Sequence, residues 1–190
     1  PAGPFRLPPD PDAAVRLIEQ AGMTAVTFDA VAAEAGLTRG GLTYHFPSRE
    51  ALLLGLHQHM AEAWEADMEQ AAGGRADTLS PAARHAAYAR VSSEGATRAM
   101  LLVMVESAAD PAHAAPWREA NERWAPPPPE DDVDDAQVLD RYVLRLASDG
   151  LWMLSAMPDS PLSPALRRRI AEHLADLLAR PATAARTRGR

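Results

Sequence analysis

Cysteine is absent from the 190 residues, which excludes disulfides, thiolate zinc sites and a cysteine nucleophile. Lysine is absent as well, so all 19 basic residues are arginine. Positive charge is in short supply: 19 basic against 26 acidic residues leaves −7, with a pI near 5.3. Such a chain is neither a nonspecific nucleic-acid coat nor a binder of anionic membranes, and any contact with phosphate must come from a local patch. No apolar run reaches the roughly 18 residues needed to cross a bilayer. Pro1–Asp12 has neither a charged start nor an apolar core, so no secretory signal is expected and a cytoplasmic location is the default. Nowhere is there a sustained period-two pattern, so strands are not expected either.

What is present is helical periodicity, punctuated by caps and breakers. Five prolines in Pro1–Asp12 make an extended lead-in, after which Asp10 or Asp12 caps a short helix over Ala13–Ala21 that Gly22 ends. Thr27 caps a second helix whose apolar face is Phe28, Val31, Ala32 and Ala35, and Gly36 stops it. Thr38 caps a third, Arg39 to His45 or Phe46. Ser48 opens a long fourth helix, with Leu52, Leu53, Leu56, Met60, Trp64 and Met68 at helical spacing until Gly73-Gly74. Further helices open at Ser80-Pro81, at Gly95 or Thr97, and around Pro111–Trp124. Pro126–Pro129 and the acidic Glu130–Asp135 form a loop. Gln137–Met157 and Pro164–Arg180 close the chain. The spacing predicts an all-α protein of about nine helices.

Thr27–Arg49 carries the functional signal. It holds two short helices, a tight turn at Gly36-Leu37-Thr38, and small Ala32 four positions before the glycine. A helix-turn-helix needs these features. Ala32 lets the helices approach, Gly36 can adopt a positive φ, and Val31, Leu37 and Leu42 fill the wedge. The second helix then offers its N-terminal residues to a major groove.

Gly22–Leu53 resembles the DNA-binding domain of tetracycline-repressor-type (TetR family) transcriptional regulators. The matching residues are Leu17-Ile18, Gly22, Ala25, Thr27, Val31-Ala32, Ala35-Gly36-Leu37-Thr38-Arg39-Gly40, Leu42 and His45-Phe46-Pro47-Ser48-Arg49-Glu50-Ala51-Leu52. The Asp149-Gly150-Leu151-Trp152 run is similar to the family only weakly. The resemblance implies that Thr27 and Thr38 meet backbone phosphate at helix N-termini. It implies that Arg39, Gly40, Gly41 and Thr43 face the groove, with Arg39 on a guanine edge. Tyr44 and His45 then reach phosphate or bases, and Arg49 binds phosphate.

Three departures are visible. Thr43 stands where the family usually has tyrosine, and Gly40-Gly41 weakens the recognition helix. The head also lacks a basic arm: residues 1–56 hold four arginines and six acids, 4 − 6 = −2.

A pliable apolar set is expected to line a ligand pocket in the remainder: Met60, Trp64, Met68, Tyr88, Met100, Met104, Trp117, Trp124, Trp152 and Met153. No metal site is expected. His57 and His59 lie two apart on a helix and face different ways, and His59 with Glu62 supplies only two ligands. No cofactor or catalytic centre is expected: phosphate loop, nucleophile elbow and zincin motifs are missing, and Glu65 with Glu69 is not marked as an acid/base pair.

These features imply a one-component regulator, most simply a repressor released from a near-palindromic operator by a small apolar ligand. Residues 1–50 are expected to form the DNA-binding domain and 51–190 the effector and dimerisation domain. The homodimer is expected to pair through the last two helices, along Leu139–Tyr142–Val143–Leu146 and Leu166–Ile170–Leu174–Leu177. The alternatives are a partner- or ligand-binding protein of the same fold with weak or lost DNA binding, and a small-molecule enzyme.

Overall fold

Hydroxyl side chains set where the helices begin. Thr27 Oγ1 accepts the Ala30 amide at 3.2 Å, Thr38 Oγ1 the Gly41 amide at 3.0 Å, and Ser48 Oγ the Ala51 amide at 3.1 Å. Ser80, Thr97 and Ser163 repeat the bond further along the chain. Each such cap stabilises its helix by about 1 kcal/mol. The acidic loop ends the same way, Asp135 Oδ1 accepting the Gln137 amide at 2.9 Å. Asp12 stands at the N-cap of the first helix without a side-chain cap bond.

The computed structural model describes residue 10 and residues 12–180. The remainder of the proline-rich lead-in and the tail arginines 186, 188 and 190 lie outside the described residues. Among the described residues there are nine α-helices and no strand: α1 Ala13–Ala21, α2 Phe28–Glu34, α3 Arg39–His45, α4 Arg49–Ala72, α5 Pro81–Val91, α6 Arg98–Glu106, α7 Pro111–Trp124, α8 Ala136–Ala156 and α9 Pro164–Ala179. Single 3₁₀ turns at Met23–Ala25, Ala76–Thr78 and Ser107–Ala109 were not foreseen from periodicity. Three residues are too few to show a period.

The head, α1 to α3, does not stand apart from the body. Ile18, Val26, Val31, Leu42 and Phe46 share one apolar cluster with Leu52, Leu53, Leu56 and Met60 of α4, Ala99, Met100 and Val103 of α6, and Trp117 of α7. Gly55 is the joint. A Cβ there would sit 2.5 Å from the Phe46 ring, so the absent side chain is what lets Phe46 lie on α4. Arg98, at the start of α6, donates to the Ile18 and Glu19 carbonyls, each at 3.0 Å, while Glu19 Oε1 accepts the Ala99 amide at 2.9 Å. Two helices, α4 and α6, therefore run from the head into the body.

A second cluster joins Met68, Tyr88, Val91 and Trp124. A third packs Ala86 and Ala89 of α5 and Leu151 of α8 against Ala171, Leu174, Ala175 and Leu178 of α9. Small residues on both sides let α5 and α9 lie close. Part of the α9 stripe expected at a subunit interface is thus used inside the chain, Leu174 being buried while Leu166 stays exposed. The outward apolar stripe belongs mainly to α8: Val138, Leu139, Val143, Leu146, Met153, Leu154 and Met157 are all exposed.

Candidate nucleic-acid interface and internal cavity

Gly36 has φ +66°, the left-handed conformation that only glycine adopts without strain, and it turns the chain sharply between α2 and α3. Leu42 points from α3 into the core and is fully buried. The opposite face of α3 is solvent-facing: Arg39, Gly40, Thr43 and Tyr44 are exposed, Tyr44 by 87%. Thr27, Thr38 and Arg49 are exposed beside it, and Gly41 and His45 are half-buried. The nine residues anticipated from sequence are thus all exposed or half-buried, at the N-termini of α2, α3 and α4 and along α3.

Each has a local role as well. Thr43 Oγ1 donates to the Arg39 carbonyl at 2.8 Å. Tyr44 and His45 meet edge-on with ring centres 5.6 Å apart. Arg39 Nη1 is held by the Asp29 carboxylate at 2.9 Å, a pair the sequence reading did not foresee. Both partners are about two-thirds exposed, so the pair is worth roughly 1 kcal/mol or less and yields easily to a stronger acceptor. Arg16 is committed elsewhere, to Asp10 and Glu34, each at 2.6 Å.

Helices α4, α5, α6, α7 and α8 wall a partly open cavity of about 260 Å³ in the body. Trp64, Tyr88, Met100, Met104, Trp117, Trp152 and Met153 line it, seven of the ten residues singled out by residue type. Met60, Met68 and Trp124 do not line it; they are buried in the surrounding core. A helical stripe of large apolar residues has the same appearance whether it faces a cavity or solid packing. Sequence reasoning missed the polar lining: Ser92, Asn121, Arg145, Ser148 and Asp149. The signal was available on α8, where Arg145, Ser148, Asp149 and Trp152 recur at i, i+3, i+4 and i+7, one face of a helix.

Trp64 meets Tyr88 edge-on at 5.8 Å and Trp117 at 6.3 Å, so two walls are aromatic. At the polar end the Tyr88 hydroxyl donates to Asp149 Oδ1. Burial, with the Asp149 charge adding to it, pushes the Tyr88 phenol far above its ordinary range and keeps it a donor. His85 of α5 is 8% exposed, and its Nδ1 has no hydrogen-bond partner among the described residues. Burial and then the positive charges of Arg141, Arg84 and Arg145 push His85 down to about 4.

Behind the cavity, Trp117 Nε1–H donates to His57 Nδ1 at 2.9 Å, and His57 Nε2 meets Glu106 Oε2 at 2.7 Å. His113 Nδ1 reaches the same oxygen at 3.1 Å. The ligating atoms of His57, Glu106 and His113 lie within 4.8 Å of one another, a spacing that would suit a metal ion. The hydrogen bonds argue otherwise. Since the indole donates to Nδ1, the neutral imidazole carries its proton on Nε2, the atom a metal would need bare. Burial also pushes His57 below the ordinary histidine range, in keeping with a neutral ring. The cluster ties α4 to α6 and α7. His59 turns away, as its spacing implied, and bonds Asp12 at 2.8 Å. Glu65 is no acid/base partner of Glu69: Arg123 clamps it at 2.6 and 2.7 Å, Trp124 Nε1 donates to it at 2.9 Å, and it is held below the usual carboxylate range, Arg123 first.

A helix-turn-helix head continued by one long helix into an all-helical body defines a class, the helix-turn-helix regulators. Residues 12–56 match the family of bacterial regulatory proteins, tetR family, and residues 82–179 match the tetracyclin repressor-like C-terminal domain. The chain belongs to the TetR family of transcriptional regulators. Two solved structures share the fold, each named as a candidate transcriptional regulator. One is from Streptomyces coelicolor A3(2), with 20% identity, a TM-score of 0.58, and coverage of 87% of this chain and 95% of that one. The other is from Pseudomonas aeruginosa PAO1, with 17% identity, a TM-score of 0.62, and coverage of 89% and 88%. No curated protein matches at a significant level.

Proposed function

We propose that this regulator is a cytoplasmic, non-enzymatic homodimeric repressor that grips a near-palindromic operator with α3 and releases it when a small molecule enters the cavity. The observation that carries the DNA half is the two-sided build of α3. Leu42 anchors one face while Arg39, Thr43 and Tyr44 are exposed on the other, and Gly40 offers bare backbone for close approach. In this reading residues 1–50 are the reading head and 51–190 the sensing and pairing body.

Pairing through α8 is supported by its exposed stripe. Gly150 sits within that stripe, and a Cβ there would meet nothing within 4 Å, so a second α8 can approach closely. A two-fold axis sets two α3 helices about one DNA turn apart. Coupling has a material path in α6, which carries Met100 and Met104 in the cavity wall and Arg98 on the end of α1. A second path runs through Trp117 and His57 into α4. A ligand that favours one arrangement shifts the balance by its differential affinity, typically about 1–3 kcal/mol.

The test is fluorescence anisotropy on duplexes selected from a random pool, repeated across a salt series. Phosphate contacts predict that log affinity falls with log salt at about −0.9 per contact. No binding at low salt would favour the reading in which the acidic head, with Asp29 on Arg39, has given up DNA for another partner.

A further inference from the structure

The polar end of the cavity holds an arginine with donor capacity to spare. Arg145 Nη1 is spent on the Pro126 carbonyl at 2.8 Å. Its other edge, Nε with Nη2, is loosely held: Nη2 lies 3.4 Å from Asn121 Oδ1, and Nε stands 3.7 Å from Asp149 Oδ2, too far for a hydrogen bond. The Nε–H is buried and has no hydrogen-bond partner among the described residues. Asn121 and Asp149 both line the cavity, so the edge they flank is turned toward it. Trp64 and Trp152 also line the cavity.

The remaining donors of the lining are already used. The hydroxyls of Tyr88, Ser92 and Ser148 donate to Asp149, the Ala89 carbonyl and the Leu144 carbonyl, and the Asn121 amide donates to the Trp117 carbonyl. The lining carries one carboxylate, Asp149, and one guanidinium, Arg145, and the charges of Arg84 and Arg141 add to that of Arg145 at buried His85. A guanidinium edge of this kind matches a carboxylate in bidentate fashion.

From the cavity's size, its indole and methionine walls and the open Nε/Nη2 edge of Arg145, we infer that the ligand is a compact aromatic carboxylate. Its flat ring lies among Trp64, Trp117 and Trp152, and its anionic group pairs with Arg145. The volume falls below the roughly 300–1,000 Å³ of drug-sized sites, which restricts the ring system to one or two fused rings. The inference rests on reading the cavity as the effector site.

Isothermal titration calorimetry of the full chain with 2-naphthoate, 2-naphthamide and 2-naphthylmethylammonium tests it. The carboxylate is expected to bind at least about tenfold more tightly than the amide, the scale of a charged hydrogen-bonded pair, and the ammonium worst. Arg145→Gln should erase the preference while still binding the amide, which also shows that the variant is folded. Asp149→Asn keeps an acceptor for Tyr88 and removes the competing charge, so it should tighten the carboxylate and not the amide. A tighter amide or ammonium, or an undiminished preference in Arg145→Gln, overturns the charge assignment and leaves the effector site standing. Absence of binding by all three overturns both.

Discussion

Tyr44 near the end of α3 and Trp124 at the end of α7 are both large aromatics, yet Tyr44 is 87% exposed and Trp124 fully buried. The contrast divides the molecule. The head leaves its candidate contact groups outside: three capped helix starts, two arginines (Arg39 and Arg49) and one phenol, with the α3 face kept turned outward by buried Leu42. The body holds its candidate site within, a cavity whose walls come from five helices spread over ninety residues of chain, Trp64 to Met153. The head needs only short-range order to present its surface. The body has no site until the helices have packed.

The sharpest way to break this division is through Phe46, which belongs to the head yet packs on α4 at Gly55. Phe46→Ala should cost about 3–5 kcal/mol in urea unfolding, with a single transition, because one apolar cluster spans both regions. Two separated transitions would show a head that folds alone.

The body has its own signature in acid. The buried His85 ring titrates near 4 when folded, against about 6.5 when unfolded. As pH falls, the unfolded chain takes up this proton first. Stability present above about pH 6.5 is therefore lost toward pH 4, by up to roughly 3 kcal/mol. His57, also pushed down by burial, acts in the same direction. Denaturant melts at several pH values should show the His85→Leu variant with a flatter profile, and near-wild-type stability at pH 7 because an unpartnered Nδ1 is removed. An unchanged slope contradicts the burial argument.

The head should show its effect on DNA alone. Arg39→Ala is expected to weaken operator binding by about 1–3 kcal/mol without shifting Tm, since its partner Asp29 is exposed. Asp29→Asn frees the guanidinium and should strengthen binding about threefold. Anisotropy titrations check both, and a weaker Asp29→Asn complex would mean that the pair positions Arg39 for the groove.

The smallest effect concerns the link. Arg98→Ala removes the bonds to the Ile18 and Glu19 carbonyls. It should leave operator affinity intact and reduce ligand-driven release by about 1 kcal/mol. Equal release in both proteins would move the coupling onto α4.

Much of the fold was legible because caps and stops are local. Thr27, Thr38, Ser48, Ser80, Thr97 and Ser163 each bond an amide two or three residues into the helix they open, and Gly22, Gly36 and Gly73 take the positive φ that closes a turn. The surface around α3 was legible for the same reason, since its members lie within 23 residues (Thr27 to Arg49). The cavity was half legible. Residue type singled out its indoles and methionines, but not Arg145 or Asp149, which look like any solvated i,i+4 pair until Tyr88 is brought beside them.

Sequence alone therefore determined the helices, their ends and the solvent-facing side of α3, because each depends on hydrogen bonds and side-chain periods spanning a few residues. Packing decided the rest. It decided that Leu174 is used inside the chain while Leu146 faces out, and that Trp117 locks His57 in one tautomer from 60 residues away. It also decided that Arg145 shares a cavity lining with Trp64, Trp117 and Trp152. These outcomes hang on distances between helices remote along the chain, and no local preference encodes such distances.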